Sequence, residues 1–515
     1  MSYRRATLEL HSTQKDRIPP DASPTSWNDS LNVFFKDGES RRVCGDKDIL
    51  ADVDITVTAR TMAYTEAEGT PFLVIAGEDG IEATDGVNAY DITPDYWFPD
   101  SFGFWTSCVI NGFVVINCST DEPVYWDGDT ANICEPLPDW PTGRFCNAMR
   151  QHKGFLFALG MTDTGGSEVL WSDSAEAGTF PQHWTAGASN DAGSTNLAPY
   201  FTRVLDGATM GDEFILYKEK SIWAAQFVGG QYIFSFREVS NALGLAWPNA
   251  LCHGPNGEHL FVTNAGDIMV SSGGRIASVL EGRGIRDFQE AYQENRGTPM
   301  CCATYPEEQI AYVVYAPSGS SLATRALLFD WTSGDIGYRE MPNTYCLLFS
   351  GASSVDPTGR WNDASSITEA WSAGTEQWNT TLDFRSSFDL LSGGESGVIS
   401  HTSMDADDFL SGEVTATLTK KGIALSDDGR RGLIRRIWPK VTGTDGDALS
   451  FTLLSQETAD GPVVRSATQT YYIGQNRHID VMLAGRFLGI EVKSVGGSPW
   501  RMGTVDIEYR PIGRF

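Results

Sequence analysis

Phe113-Val-Val-Ile-Asn117, followed shortly by Val124-Tyr-Trp-Asp-Gly128, holds the pattern that decides the fold. An apolar run long enough for one strand leads through a turn to a second, shorter apolar segment with an aromatic pair, which stops at an Asp-Gly turn. The same phrase returns along the chain. Its landmarks are Ile81-Glu-Ala-Thr-Asp-Gly86, Val169-Leu-Trp-Ser-Asp173, Ser221-Ile-Trp-Ala-Ala-Gln226, Ile268-Met-Val-Ser-Ser-Gly273 and Leu327-Leu-Phe-Asp-Trp-Thr-Ser-Gly334. A strand precedes each of them: Phe72–Ala76, Phe155–Leu159, Phe214–Tyr217, His259–Val262 and Ile310–Tyr315. Landmarks about 45 to 60 residues apart fit four-stranded propeller blades. One such sheet cannot bury both of its faces alone; blades stacked around an axis bury one another.

Six landmarks are visible. Asn343–Ser350 and later strands would supply a further blade, and Leu31–Phe35 a contribution that closes the ring. Seven blades fit best, with six as the alternative. The reading divides the chain into an N-terminal segment over 1–60 that closes the propeller or contacts neighbours, a β-propeller over 61–402 and a β-sandwich over 403–515. Only one helix is expected, between Arg283 and Arg296, where Ile285, Phe288 and Tyr292 fall on one face. Gly351–Ser400, irregular and rich in Gly and Ser, with Trp361, Trp371 and Trp378 spaced through it, is expected to contain the end of the propeller. Beyond it the pattern changes to strict alternation. Val414, Ala416 and Leu418 alternate with Thr, as do Leu488, Ile490 and Val492, then Val505, Ile507 and Tyr509, with other residues. Strands with one dry and one wet face read this way, so the whole chain is all-β: a six- to seven-bladed propeller plus a C-terminal antiparallel β-sandwich.

Charge narrows the function classes. The 515 residues carry a net charge of −29, and from Thr61 to Trp140 there are fifteen Asp and Glu but no Lys or Arg. From Ser403 onward basic and acidic residues balance at fourteen each, so the excess acid belongs to the first four hundred or so residues. Counterion-release binding needs clustered Lys and Arg, so such a chain does not grip phosphates. The nine Cys are scattered with no CxxC pair, which argues against zinc and thioredoxin-like chemistry. Most are expected to be small buried residues, with the adjacent Cys301 and Cys302 facing in and out of one strand. The opening MSYRRATLEL has no apolar core of a signal peptide, and no apolar run is long enough to span a bilayer, so assembly in a cytoplasm is expected.

No catalytic constellation emerges, and the chain is not expected to be an enzyme. Ser172-Asp-Ser-Ala-Glu-Ala-Gly-Thr-Phe180 resembles the Asp-box of sialidase-type propellers, a turn at a blade's periphery rather than a catalytic element. The seven His stand apart with no metal-ligand spacing, and no Gly-x-Ser-x-Gly elbow is present. Asp127-Gly-Asp129 is too short to separate a calcium site from an ordinary turn. Gly393-Gly-Glu-Ser-Gly397 lacks the context of a phosphate loop. Neither a metal nor a cofactor is expected. The one residue cluster that suggests a contact is basic: Arg430, Arg431, Arg435, Arg436 and Lys440 around Trp438. Against an acidic propeller, a neighbouring subunit suits it better than nucleic acid.

From Lys218-Glu-Lys-Ser-Ile-Trp to Gln231-Tyr-Ile-Phe-Ser-Phe236, together with Leu170-Trp-Ser-Asp173 and the Trp184 to Asp191 region, the chain resembles tail proteins of phages and prophages. Gly485-Arg-Phe-Leu-Gly-Ile-Glu-Val492 through Gly513-Arg-Phe515 is similar to the terminal sandwich of that family, and Trp27-Asn-Asp-Ser-Leu-Asn-Val33 to its opening. The family is the tail nozzle or tail hub of short-tailed phages. The resemblance implies a non-enzymatic virion protein that forms a ring, commonly sixfold, below the portal and adaptor. It also implies contacts with tail fibres or spikes, no membrane insertion, and passage of phage DNA through a lumen without specific binding. A carboxylate-lined lumen repels phosphate, so DNA slides rather than sticks. Two other classes stay open: a receptor- or glycan-binding propeller with Trp105, Trp126 or Trp171 as stacking platforms, and a glycan-cleaving enzyme of the sialidase architecture.

Overall fold

Asn111 and Gly112 show how blade 2 starts. Both have positive φ, 51° and 93°, and they join Trp105–Ile110 to Phe113–Cys118 with Ile110 paired to Phe113. A two-residue turn with this backbone matches strand twist, and Asn-Gly is the pair that adopts it at least cost. In this computed structural model the described residues are all except 1–2, 52, 68, 199–201, 231, 351–388, 395–397, 404–405, 426–429, 460 and 514–515.

Among the described residues, seven four-stranded antiparallel units make a β-propeller. Blade 1 is Thr61–Ala67, Thr70–Gly77, Gly80–Thr84 and Ala89–Asp91; blade 2 is Trp105–Ile110, Phe113–Cys118, Val124–Trp126 and Glu135–Pro136. Blade 3 is Cys146–His152, Phe155–Met161, Glu168–Trp171 and Gly193–Asn196; blade 4 is Val204–Met210, Glu213–Lys218, Ile222–Phe227 and Phe234–Ser240. Blade 5 is Leu251–His253, His259–Val262, Ile268–Ser271 and Ile276–Ser278; blade 6 is Cys301–Tyr305, Ile310–Tyr315, Arg325–Asp330 and Ile336–Glu340. Blade 7 takes Thr344–Ser350, Asp389–Gly394 and Ile399–Ser403 from one part of the chain and Gly45–Asp48 from the other.

The second strand of a blade reads as a continuous apolar run because alternate residues feed two different cores. Val114 and Ile116 pack between blades 1 and 2, while Val115 packs between blades 2 and 3. Leu156 and Ala158 face blade 2, whereas Phe157 and Leu159 face blade 4. The same logic corrects the reading of the adjacent thiols. Cys301 and Cys302 are both buried, one in the core toward blade 7 and the other in the core toward blade 5. A propeller blade has no wet face, so neither points out.

Ring closure also departs from expectation. Gly45–Asp48, not Leu31–Phe35, supplies the outer strand of blade 7 and pairs with Ile399–Ser403. The segment expected to contain the end of the propeller contributes two of its strands, Asp389–Gly394 and Ile399–Ser403. Trp361, Trp371 and Trp378 lie outside the described residues.

Val33–Lys36 instead extends blade 6, with Val33 opposite Tyr338, and the sheet runs on through Glu39–Arg42, Trp500–Ile512, Arg431–Gly443 and Ile479–Gly485. A second sheet of Asp29–Leu31, Thr417–Ile423, Phe487–Val495 and Ala448–Gln456 faces it. Both enclose one core, where Val33, Phe35, Ile434, Val505 and Ile507 meet Leu418, Phe451, Leu488, Ile490 and Val492. Trp27, fully buried there, donates its indole N–H to Ser40 Oγ at 3.1 Å.

The one α-helix among the described residues, Ile285–Glu294, lies where the spacing predicts it and buries Phe288, Ala291 and Tyr292. Its start is capped from a distance. The Asp16 carboxylate accepts from the backbone N–H of Ile285 at 2.8 Å and of Arg286 at 3.1 Å. A carboxylate there satisfies two orphan donors and meets the positive end of the helix dipole.

Two buried histidines should make the propeller sensitive to acid. His259 of blade 5 accepts at Nδ1 from the Tyr217 hydroxyl (2.9 Å) and donates from Nε2 to the Thr209 carbonyl (3.0 Å), which ties blade 5 to blade 4. His152 of blade 3 bonds Thr209 Oγ1 at 2.9 Å. Burial depresses both imidazoles to about 4. An unfolded imidazole titrates near about 6.5, so between these values the unfolded chain binds more protons. The stability they support is complete above about pH 6.5 and drains as pH falls through 4, by about 2–3 kcal/mol each. Denaturation midpoints measured from pH 7 to 4 should fall steeply for the native chain and less steeply for His152→Gln. Parallel curves would assign the acid sensitivity elsewhere.

Candidate functional site

The first strands of the blades surround the propeller axis, and polar side chains close the space between them. Arg150 of blade 3 donates from Nε and Nη2 to both carboxylate oxygens of Asp206 in blade 4, at 2.7 and 2.9 Å. It also donates to the Ser107 carbonyl of blade 2 at 2.9 Å and to Asn249 Oδ1 at 2.6 Å. Asn249, just ahead of blade 5, donates from its backbone N–H to Asp206 (2.8 Å) and from Nδ2 to the Trp105 carbonyl of blade 2 (2.8 Å). Blades 2 and 5 stand well apart around the ring, so that last bond spans the axis. Asp206 is 1% exposed; burial lowers the affinity of Arg150 for its proton, and the charge of Asp206 and its hydrogen bonds together more than restore it.

This plug divides the channel. On the side where the first strands end is a polar cavity of about 410 Å³, lined by Arg150, Asp206, Thr209 and His253 among others. On the side where they begin, Phe104 meets Trp247 edge to face with centroids 5.1 Å apart, beside Trp105, Met300 and Tyr345. The guanidinium of Arg60 lies 3.9 Å over the Tyr345 ring and pairs with Glu78, both N–O distances being 2.8 Å. No part of a nucleic acid passes through a channel bridged by hydrogen bonds under 3 Å. Sequence reading missed this plug, although Arg150 and Asp206, the single carboxylate or guanidinium of their first strands, were its signal.

The basic residues singled out from sequence sit on Arg431–Gly443 or at its start, and most are engaged inside the chain. Arg431 pairs with Glu457 at 2.7 Å, and Arg436 with Asp480 on the adjacent strand. Arg430 is half-buried. Trp438 is covered by the Arg5 guanidinium, 4.6 Å from its ring centre. Arg435 and Lys440 are exposed, with Arg435 leaning 5.1 Å from the Tyr3 ring. Arg435 and Lys440 on this strand, and Arg477 and Arg486 beside its neighbour, are exposed cations.

Other candidates resolve into scaffolding. Asp173 accepts from the backbone N–H groups of Gln182 and His183 at 2.9 and 3.0 Å, so the Asp-box-like turn holds its own loop. Asp127 bonds the Asp129 N–H and Asn132 Nδ2, as a turn residue does. Trp105, Trp126 and Trp171 are buried and present no stacking face. His253 and His259 are paired across a hairpin rather than isolated, their rings 4.9 Å apart. Among the described residues no group of His, Cys, Asp and Glu is placed to hold a metal. Burial pushes the Cys108, Cys252 and Cys346 thiols up to about 12, the reverse of a reactive thiolate.

No family model matches the chain, and no curated protein matches its sequence. Among solved structures it is similar to YCF48 bound to D1 peptide, with 12% identity, a TM-score of 0.40, and coverage of 71% of this chain and 96% of that one. It is also similar to the WD40 β-propeller domain of Doa1, with 10% identity, a TM-score of 0.37, and coverage of 79% and 99%.

Proposed function

We propose that this chain is a structural subunit of a phage tail, a nozzle or hub protein that assembles into a ring, a hexamer of identical copies, around the path of the DNA. The observation that carries the reading is the plugged propeller axis combined with strong acidity. A propeller closed by Arg150, Asp206 and Asn249 is no conduit by itself. A lumen for DNA must then lie between copies, walled by a surface that repels phosphate, and a net charge of −29 suits that wall. The resemblance of Lys218–Phe236 and of the closing segment to tail proteins supports the same role. On this reading the protein resides in the virion tail, touches adaptor and fibre or spike proteins, and performs no catalysis.

Negative-stain microscopy of the purified chain should show closed rings with a central opening that admits a duplex. Duplex DNA should bind weakly, with affinity hardly rising as salt is lowered, because few phosphates are neutralised. A monomer at every concentration, or a steep salt dependence, would refute the role.

A further inference from the structure

The segment between blades 1 and 2, Pro94-Asp-Tyr-Trp-Phe-Pro-Asp-Ser-Phe-Gly103, holds large aromatic side chains out in water. Phe102 is 91% exposed, Phe98 80% and Tyr96 50%. The loop is pinned in that pose. Trp97 is buried edge to face against Trp105, their ring centres 5.7 Å apart. The backbone N–H of Phe98 donates to Asp121 at 2.8 Å, that of Asp100 to Thr120 at 2.9 Å and that of Phe104 to Ser119 at 2.8 Å. Aromatic residues fixed outward on an ordered loop form a contact surface whose ordering entropy is already lost. The charges beside them, Asp95, Asp100, Asp121 and Glu122, are all acidic.

A surface of opposite sign exists on the same chain. Ile479–Gly485 ends its sheet: one side pairs with Arg431–Gly443, and no described strand covers the other. Met482 on it is 78% exposed. The register steps from Ile434–Leu483 to Arg436–Asp480, so the exposed Arg435 stands opposite a bulge made by Val481 and the exposed Met482. Arg477 and Arg486, both exposed, flank the strand. Asp480, two residues before Met482, is also exposed but is paired with Arg436, so Arg435, Arg477 and Arg486 leave this edge net positive. An exposed thioether there complements exposed phenyl rings among carboxylates, through sulfur–aromatic, cation–π and charge contacts together.

We infer that the Tyr96–Phe102 loop of one copy docks on the Met482 edge strand of the next copy. This rests on the ring reading above and adds which surfaces meet. The two patches are different and belong to separate parts of the chain, blades 1–2 and the sheet continuing from blade 6. The contact is therefore heterologous, the kind that closes a ring when its rotation closes.

A photo-reactive phenylalanine analogue placed at Phe98 of the full chain should crosslink between copies to peptides spanning 477–486 or 431–443. Phe98→Ser combined with Phe102→Ser should raise the concentration needed for assembly roughly tenfold or more, as loss of central aromatic anchors does. Arg435→Glu with Arg486→Glu should have a similar effect from the other side, and both variants should keep the native melting temperature. Rings that form normally in both variants, or crosslinks that map elsewhere on the neighbouring copy, would overturn this contact and leave the ring reading intact. A native chain that never assembles would overturn both.

Discussion

Arg339→Ala should destabilise the protein by about 3–5 kcal/mol, the loss typical of stranding one member of a buried ion pair. Arg339 is fully buried on the outer strand of blade 6, and its guanidinium meets Asp46 on the strand that closes blade 7. It also donates to Thr402 Oγ1 at 2.8 Å and lies 5.2 Å over the Phe409 ring. One side chain thus joins blade 6, both outer strands of blade 7 and the start of the C-terminal part. Without it the Asp46 carboxylate, 3% exposed, stays in the interior with no cation. The denaturant midpoint should drop sharply, and limited proteolysis should release the segment ahead of blade 1. Arg203→Ala is the control. Its pair with Glu219 is half-exposed, and an exposed pair contributes about 0–1 kcal/mol. Equal effects of the two substitutions would show that the Arg339–Asp46 pair does not hold the ring closed.

The second large effect concerns truncation. Residues 1–403 alone should aggregate, whereas residues 44–403 should give a soluble propeller. Arg4–Leu8 pairs with Trp500–Ile512, Asp29–Leu31 with Thr417–Ile423, and Glu39–Arg42 with Trp500–Ile512. Removing the C-terminal strands strips Leu10, Trp27, Val33 and Phe35 of their core. Each such side chain contributes about 1.5–3 kcal/mol through burial, and exposing them together leaves a sticky surface. Cutting at residue 44 removes that surface yet keeps Gly45–Asp48, the strand blade 7 requires. Size-exclusion chromatography and circular dichroism of the two fragments distinguish the outcomes. Two soluble fragments would mean that the N-terminal strands have their own means of staying folded.

Much of the fold is legible locally. Phe113–Cys118 and Phe155–Met161 read as strands because each apolar residue has a neighbouring blade on its own side, and turns such as Asn111-Gly112 mark where the chain reverses. The helix at Ile285–Glu294 follows from its apolar spacing, and alternation marks Phe487–Val495 and Trp500–Ile512 as strands with two unlike faces. The absence of phosphate-gripping charge from Thr61 to Trp140 is likewise plain from composition.

What no local pattern contains is which distant segments meet. Gly45-Asp-Lys-Asp48 has too few apolar residues to announce itself as a propeller strand; it becomes one because Ile399–Ser403 offers an open edge and Arg339 a buried charge. Asp16 caps a helix some 270 residues away, a relation visible only when both are in place. Arg150, Asp206 and Asn249 are unremarked polar residues along the chain, and only the circular arrangement of blades brings them together to plug the axis. Periodicity is a property of neighbours in sequence, so the sequence by itself determined the strands, the blade repeat and the charge. Closure, plugging and the outward cations Arg435 and Arg486 depend on contacts between residues far apart in the chain, and the tertiary structure alone decided them.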